Sequence, residues 1–317
     1  PMRIQAPPGR VLICGGAGFI GSHFTEAAAR AWPSARITVL DNLGFAGVLA
    51  NLDGLQRRPR FRFVRGSIGD ARLVRTLLKE TDLLVNFAAE THVDRSLLEA
   101  GTFLSTGVMG TFTLVETARQ LGTVRRLVLM STDEVYGDLA SGAAAEDARL
   151  NPSSPYSAAK AGGDLVALAY ARSFGLPVVV PRACNIYGSR QFPEKMIPLM
   201  TVNALRDLPL PVYGDGRQER EWLHVDDACA ALLLLARRGV PGSVYNVGSG
   251  VWRRNLAVVR GILRRLGKPD SLSRHVTDRP GHDRRYAIRA ARIRRLGWRP
   301  RVRFADGLAR TADWYRD

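Results

Sequence analysis

The 317-residue sequence predicts an α/β fold, with a doubly wound parallel sheet and a smaller C-terminal lobe. Three observations predict it. Short apolar runs recur through the first half of the chain. Longer segments of helical patterning separate most of them. The first run ends in a glycine cluster just ahead of the first helix. Strands that are apolar on both faces need cover on both faces, which is the arrangement of a parallel sheet between two helix layers.

The runs fall at residues 10–14, 37–40, 61–64, 83–87, 127–130 and 178–180, with helix-like stretches at 21–31, 71–80, 103–121 and 157–174. After residue 188, Pro193, Pro198, Pro209, Pro211 and Gly214-Asp215-Gly216 break the alternation. A strand at 243–247, a helix near 255–266, a loop at 278–283 and a last helix around 305–315 follow. The chain therefore divides into a cofactor-binding sheet at 1–188 and a lobe, mainly for substrate, at 189–317. Parts of 219–250 are free to return to the sheet. No repeat or low-complexity tract is present.

The glycine cluster, Gly15-Gly16-Ala17-Gly18-Phe19-Ile20-Gly21, lies between the first strand and first helix. Glycines there allow a tight turn and let a pyrophosphate approach the N–H groups at the helix start, the signature of a Rossmann-type dinucleotide site. Asp41 follows at the end of the second strand, placed to accept hydrogen bonds from the adenosine ribose. A carboxylate there repels a 2′-phosphate, so NAD is expected rather than NADP. Asp70 suits either an adenine contact or a helix N-cap.

Tyr156 and Lys160 stand four apart on a helix opened by Pro152-Ser153-Ser154-Pro155, so both project from one face. A nearby ammonium, with a positive nicotinamide ring, is expected to lower the phenol's pKa so that it takes a proton from a substrate hydroxyl as hydride leaves. Ser131-Thr132 sits at the mouth of the fifth strand, where a hydroxyl can share that proton. Asp133 and Glu134 come next. An acid pair here could cap a helix, but beside a redox pair it permits a second reaction. A ketone acidifies its α-hydrogen, one carboxylate removes it, and a protonated acid expels a β-hydroxyl.

Several stretches together resemble extended short-chain dehydrogenases/reductases, and within them the dTDP-glucose 4,6-dehydratase family. They include residues 15–21, Ala88-Ala89-Glu90-Thr91-His92-Val93-Asp94-Arg95-Ser96, Ser131-Thr132-Asp133-Glu134-Val135-Tyr136-Gly137 and Ser154-Pro155-Tyr156-Ser157-Ala158-Ala159-Lys160. Gln191-Phe192-Pro193-Glu194-Lys195, Pro211-Val212-Tyr213-Gly214-Asp215-Gly216, Arg220-Glu221-Trp222 and residues 279–286 belong to the same pattern, which spans about 11–315.

The resemblance implies a hydro-lyase with tightly bound NAD. Thr132 and Tyr156, with Lys160, serve oxidation of the glucose C4 hydroxyl. Glu134 removes the C5 proton, Asp133 protonates the departing C6 hydroxyl, and hydride returns to C6. It implies NAD contacts from Gly15, Gly18, Phe19, Ile20, Gly21, Asp41, Asn42, Ser67, Ile68, Ala88, Ala89, Thr106, Tyr156 and Lys160. Substrate contacts are implied for Thr91, Thr132, Asn185, Lys195, Met196, Pro211, Tyr213, Arg220, Asn255, Arg279 and His282, with the Arg220 fork suited to a diphosphate. It further implies a homodimer formed by helices near 97–120 and 155–174. Ser67, Gly107, Ile186 and Ser189 depart from the family pattern, which has Asp, Asn, Asn and Pro at these positions.

The formal net charge is +17, and of 46 basic residues four are lysines (Lys79, Lys160, Lys195, Lys268) and the rest arginines. They are spread along the chain instead of forming a dense tract with interleaved aromatics, so no nucleic-acid partner is expected, although the field favours an anionic ligand. Cys14, Cys184 and Cys229 are unclustered and read as buried thiols, with no metal site. No apolar run reaches membrane length and no apolar leader is seen, so a cytoplasmic protein without membrane association is expected. Two other readings stay open: another nucleotide-sugar dehydratase or a 4-epimerase on the same scaffold, and, more distantly, a non-enzymatic dinucleotide-sensing binding protein.

Overall fold

The computed structural model describes residues 7–278 and 281–317. In chain order its elements begin with β1 (Arg10–Cys14), α1 (Phe19–Ala31), β2 (Arg36–Asp41), α2 (Asp53–Gln56), β3 (Phe61–Arg65), α3 (Ala71–Leu78) and β4 (Leu83–Asn86). Next come α4 (Val93–Leu98), α5 (Ala100–Leu104), a π-helical turn (Ser105–Gly110), α6 (Thr111–Leu121), β5 (Arg126–Leu129), β6 (Ser131–Thr132) and a 3₁₀ turn (Asp133–Tyr136). Then follow α7 (Pro155–Phe174), β7 (Val178–Ala183), β8 (Asn185–Tyr187), α8 (Met196–Leu205), β9 (Leu210–Tyr213), β10 (Glu219–His224), α9 (Val225–Arg238) and β11 (Ser243–Val247). The chain closes with β12 (Trp252–Arg254), α10 (Asn255–Leu266), β13 (Ser273–Val276), α11 (Ala291–Arg295) and α12 (Phe304–Arg316).

The main sheet is parallel in the order β11-β7-β5-β4-β1-β2-β3, and β6 extends the pairing along β7. Side chains alternate across each strand, so the two faces can be read from the sequence. Val11, Ile13, Val39, Val85 and Val128 face one side, packed with α1 and α9 residues such as Phe24, Ala28, Leu232 and Leu235. Leu12, Cys14, Leu40, Leu84 and Leu127 face the other, against Val74, Leu78, Leu114 and Ala167 of α3, α6 and α7. Each such side chain contributes roughly 1.5–3 kcal/mol by leaving water. The two apolar faces therefore hold the helices on both sides.

The return of the chain after residue 219 is split. β11 joins the main sheet beside β7, whereas β10 pairs with β8 and β12 in a separate small sheet. A third core, with Tyr187, Met200, Val212, Trp222, Val259, Ile262 and Leu308, holds this C-terminal lobe together.

The helix expected over 103–121 is interrupted. Its first part belongs to α5, and a π-helical turn precedes α6. Two glycines, Gly107 and Gly110, lie in that turn, and glycine is a weak helix former. The turn presses on α7: a Cβ at Gly107 would lie 3.2 Å from both Cβ and the carbonyl oxygen of Ala159. The departure to glycine at 107 thus permits a close approach to the helix that carries Tyr156 and Lys160.

Candidate active site

The carboxyl ends of the parallel strands open onto one cleft, where such sheets place ligands. Its wall runs from the glycine loop, past the loops after β2 and β4, to the segment 183–195.

Glycine is required on the cofactor side for a steric reason. A Cβ on residue 21 would lie 2.1 Å from the Gly15 carbonyl oxygen, so α1 could not pack on the loop with any side chain there. Gly18 is the N-cap of α1 and offers no side-chain cap, which leaves the helix's first N–H groups for an anion. Asp41 is buried. Its Oδ2 accepts from Ala17 N at 2.9 Å and its Oδ1 from Leu43 N at 2.8 Å, fixing the loop against the end of β2. Phe19, Ile20, Asn42, Ser67, Ile68, Ala88, Ala89 and Thr106 line the same cleft. This cradle, with a helix N-terminus at its base and an acid at its ribose end, fits a dinucleotide. Asp70 lies off it as the N-cap of α3, its Oδ1 accepting from Arg72 N and Leu73 N at 3.0 Å each.

Pro155 at the first helical position and a Ser154–Ser157 capping box start α7, and so set the direction of Tyr156 and Lys160. Both side chains line the cleft. Lys160 Nζ donates to the Met130 carbonyl at 2.5 Å. In the protein alone, without a nicotinamide ring beside it, the phenol is shifted upward. Burial first, then the charges of Glu134 and Asp133, push Tyr156 upward, with the Thr132 hydroxyl bond opposing them. Burial pulls Lys160 down and Asp164 pulls it back up. The protein's own charges around the phenol are therefore mostly negative, and they favour its protonated form.

The acid pair is held by a turn. Thr132 Oγ1 accepts from Glu134 N at 3.2 Å, capping the 3₁₀ turn that carries both acids. Asp133 is 2% exposed, Thr132 Oγ1 lies 3.3 Å from its Oδ1, and its Oδ2 has no hydrogen-bond partner among the described residues. Burial, then the charges of Glu134 and Glu221, raise its carboxyl well above the ordinary aspartate range. Glu134 is only partly buried. Thr132, Asp133, Glu134, Tyr156 and Lys160 thus meet at one cleft wall.

Residues expected to hold substrate divide into two groups. Thr91, Asn185 and Lys195 line the cleft. Met196, Pro211, Tyr213, Asn255 and His282 lie outside its wall, Pro211 and Tyr213 on β9 and Met196 and Asn255 at the starts of α8 and α10. Tyr213 O–H donates to Asp94 at 3.3 Å and packs edge-on against His282, with ring centroids 5.9 Å apart. Arg279 lies outside the described residues. Arg220 does not present its fork to the cleft. It is buried, donates to the carbonyls of Glu219, Asp283 and Arg284, and lies 4.3 Å above the Tyr286 ring. Among the described residues, the cations on the cleft wall are Arg95, Lys160 and Lys195.

Some cleft residues had no role assigned from sequence. Phe45 packs on Phe192 with centroids 4.9 Å apart, and Arg95 lies 4.2 Å over the Phe45 ring. Thr91 Oγ1 donates to Glu194 at 3.0 Å. Phe192 and Glu194 sit inside a stretch already singled out by its pattern, whereas nothing local marked Phe45. Cys184, like Cys14 and Cys229, is a buried free thiol, and it lines the cleft. No helix among the described residues is long and apolar enough to cross a membrane.

Residues 12–311 match the family model described as GDP-mannose 4,6 dehydratase. The chain is 48% identical over 313 residues to a dTDP-glucose 4,6-dehydratase from Actinoplanes sp., covering 97% of this chain and 98% of that one. The crystal structure of DesIV, a dTDP-glucose 4,6-dehydratase from Streptomyces venezuelae with NAD bound, is similar at a TM-score of 0.94 and 49% identity, covering 97% of each chain. A UDP-glucose 4-epimerase from Thermotoga maritima shares the architecture at a TM-score of 0.90 but only 28% identity, covering 97% of this chain and 98% of that one. Architecture alone therefore does not separate dehydratase from epimerase, but sequence identity over the whole chain does. The chain belongs to the dTDP-glucose 4,6-dehydratase family of nucleotide-sugar-modifying short-chain dehydrogenases/reductases.

Proposed function

We propose that this protein is an NAD-dependent hydro-lyase that converts dTDP-glucose to its 4-keto-6-deoxy derivative. The observation that carries the reading is the acid pair Asp133–Glu134 on a turn beside Tyr156 and Lys160, in one cleft, in a chain 48% identical to a named dTDP-glucose 4,6-dehydratase.

NAD, when bound, would supply the hydride chemistry at C4 and C6, and its positive ring would offset the carboxylates around the phenol. The glycine loop, the N-terminus of α1 and Asp41 hold it. Tyr156 takes the C4 hydroxyl proton as the carbonyl forms, with Thr132 sharing the hydrogen bond and Lys160 providing positive charge. Glu134 removes the C5 proton, now acidified by the neighbouring ketone. Asp133, kept neutral by burial, gives its proton to the C6 hydroxyl, which leaves as water. Hydride return to C6 leaves no net oxidation; Glu134 returns its proton to C5, and the proton gained by Tyr156 passes back to Asp133 through solvent to reset the site. Thr91, Asn185, Lys195 and Met196 serve the sugar and phosphates. Pro211, Tyr213, Asn255, His282 and Arg279 serve the nucleoside end. In the division of labour, residues 1–188 with β11 hold the cofactor, and the rest mainly hold substrate.

We also propose a cytoplasmic homodimer. Leu98, Met109, Leu165 and Phe174 are strongly exposed, and the Phe112, Tyr170 and Phe174 rings pack in series from α6 to α7. A contiguous exposed apolar surface of this kind marks an interface. Three unpaired thiols fit a reducing compartment.

Incubation with dTDP-glucose and mass spectrometry of the nucleotide sugar tests the activity. The expected product is lighter by one water. A product of unchanged mass favours epimerisation and defeats the reading.

A further inference from the structure

We infer that Asp164 is a positioning residue that holds the redox helix in register with the elimination turn, a role that rests on the dehydratase reading. Tyr156, Lys160 and Asp164 follow one another at four-residue spacing along a face of α7. Asp164 is 1% exposed, and its Oδ2 accepts from Ser131 Oγ and from Arg182 Nε, each at 2.9 Å. Ser131 lies opposite Arg182 in the β6–β7 register and immediately precedes Thr132. Arg182 Nη1 donates to the Tyr136 phenol at 3.0 Å, and that phenol donates to Asn246 Oδ1 of β11 at 2.8 Å. Tyr136 ends the same turn that begins with Asp133 and Glu134.

One carboxylate thus ties α7 directly to the strand bearing Thr132 and, through Arg182, to the turn bearing both acids. A buried ion pair contributes little net stability compared with apolar residues of the same volume. Here its connections run to the three elements that present the reacting groups, and that points to alignment.

The titratable and charged groups facing this cluster are Tyr156 and Lys160 from α7, Asp133, Glu134 and Tyr136 from the turn, Arg182 from β7, and Glu146 from the loop before α7. The negative charge of Asp164 favours the protonated form of both Tyr156 and Lys160. Its removal therefore shifts both groups to lose their protons at lower pH.

The test uses Asp164→Asn and the charge-balanced double variant Asp164→Asn/Arg182→Met, which keeps the site neutral if the single variant does not fold. Steady-state water loss from dTDP-glucose gives kcat and KM. Single-turnover nicotinamide absorbance gives the pH dependence of C4 oxidation. The expected result is a fall in kcat of about a hundredfold with KM little changed in both variants, and, in Asp164→Asn, both limbs of the pH profile moved to lower pH. An unchanged kcat in either folded variant overturns the role, as does a fall in kcat of Asp164→Asn with an unmoved profile, which marks a purely structural pair. Wild-type protein run alongside separates the two readings. If it releases no water from dTDP-glucose, the dehydratase reading fails and this role fails with it. If it releases water and the variants match it, only the role of Asp164 fails.

Discussion

Asp133 and Glu134 are neighbours in the chain but not in environment. The Asp133 carboxyl is shut away at 2% exposure, its Oδ2 without a partner among the described residues, while Glu134 is only partly buried at the cleft wall. Both sit on the turn capped by Thr132. Burial favours the protonated form of Asp133, which is what an acid acting beside a base in one step requires.

Asp133→Asn and Glu134→Gln are each expected to lower dehydration about 10²- to 10⁴-fold, the usual contribution of a positioned acid or base. C4 oxidation should survive in both, so reduced nicotinamide accumulates under single turnover. Stopped-flow absorbance checks this. Full turnover of Asp133→Asn would remove the acid from its role.

The same burial has a stability consequence with a defined sign. The folded-state pKa of Asp133 is raised, so the native state retains a proton that the unfolded chain releases above about pH 4. Its contribution to stability is complete below that pH and is lost as pH rises through the folded value. Asp133→Asn is therefore expected to melt higher than wild type at neutral pH, by about 2 °C or more, with the gap shrinking toward pH 4. Melting curves across that range would show a constant gap if the carboxyl were not shifted.

Tyr156→Phe removes the proton acceptor without changing the helix. C4 oxidation should fall about 10²- to 10⁴-fold, while NAD binding measured by calorimetry stays close to wild type. Equal loss of both would indicate a structural role for the ring, which packs edge-on against Phe103.

Leu165→Asp on α7 places a charge in the exposed apolar surface that runs across α6 and α7. Sedimentation should show dimer giving way to monomer while the melting temperature of the monomer holds. A wild-type monomer at micromolar concentration would refute the interface.

Much of this was legible in sequence because it depends on local pattern. The alternating apolar runs, the glycine loop and the four-residue spacing of Tyr156 and Lys160 are set by short-range geometry. Asp164 continues that spacing by one more step and was available to the same reasoning. Arg220 was not, since the direction of its fork depends on carbonyls of residues 283 and 284 that the C-terminal lobe folds against it. The close approach of the Ser105–Gly110 turn to Ala159 was not legible, because the two are distant in sequence. Asp70 offered two readings, and only the position of α3 decided for the cap.

The central claim is that hydride taken from C4 is given back at C6 within one active site. dTDP-glucose carrying deuterium at C4 tests it most directly, with the product examined by NMR. The account predicts that the deuterium is found at C6 of the 4-keto-6-deoxy sugar. Deuterium still at C4, or washed out into solvent, would contradict it.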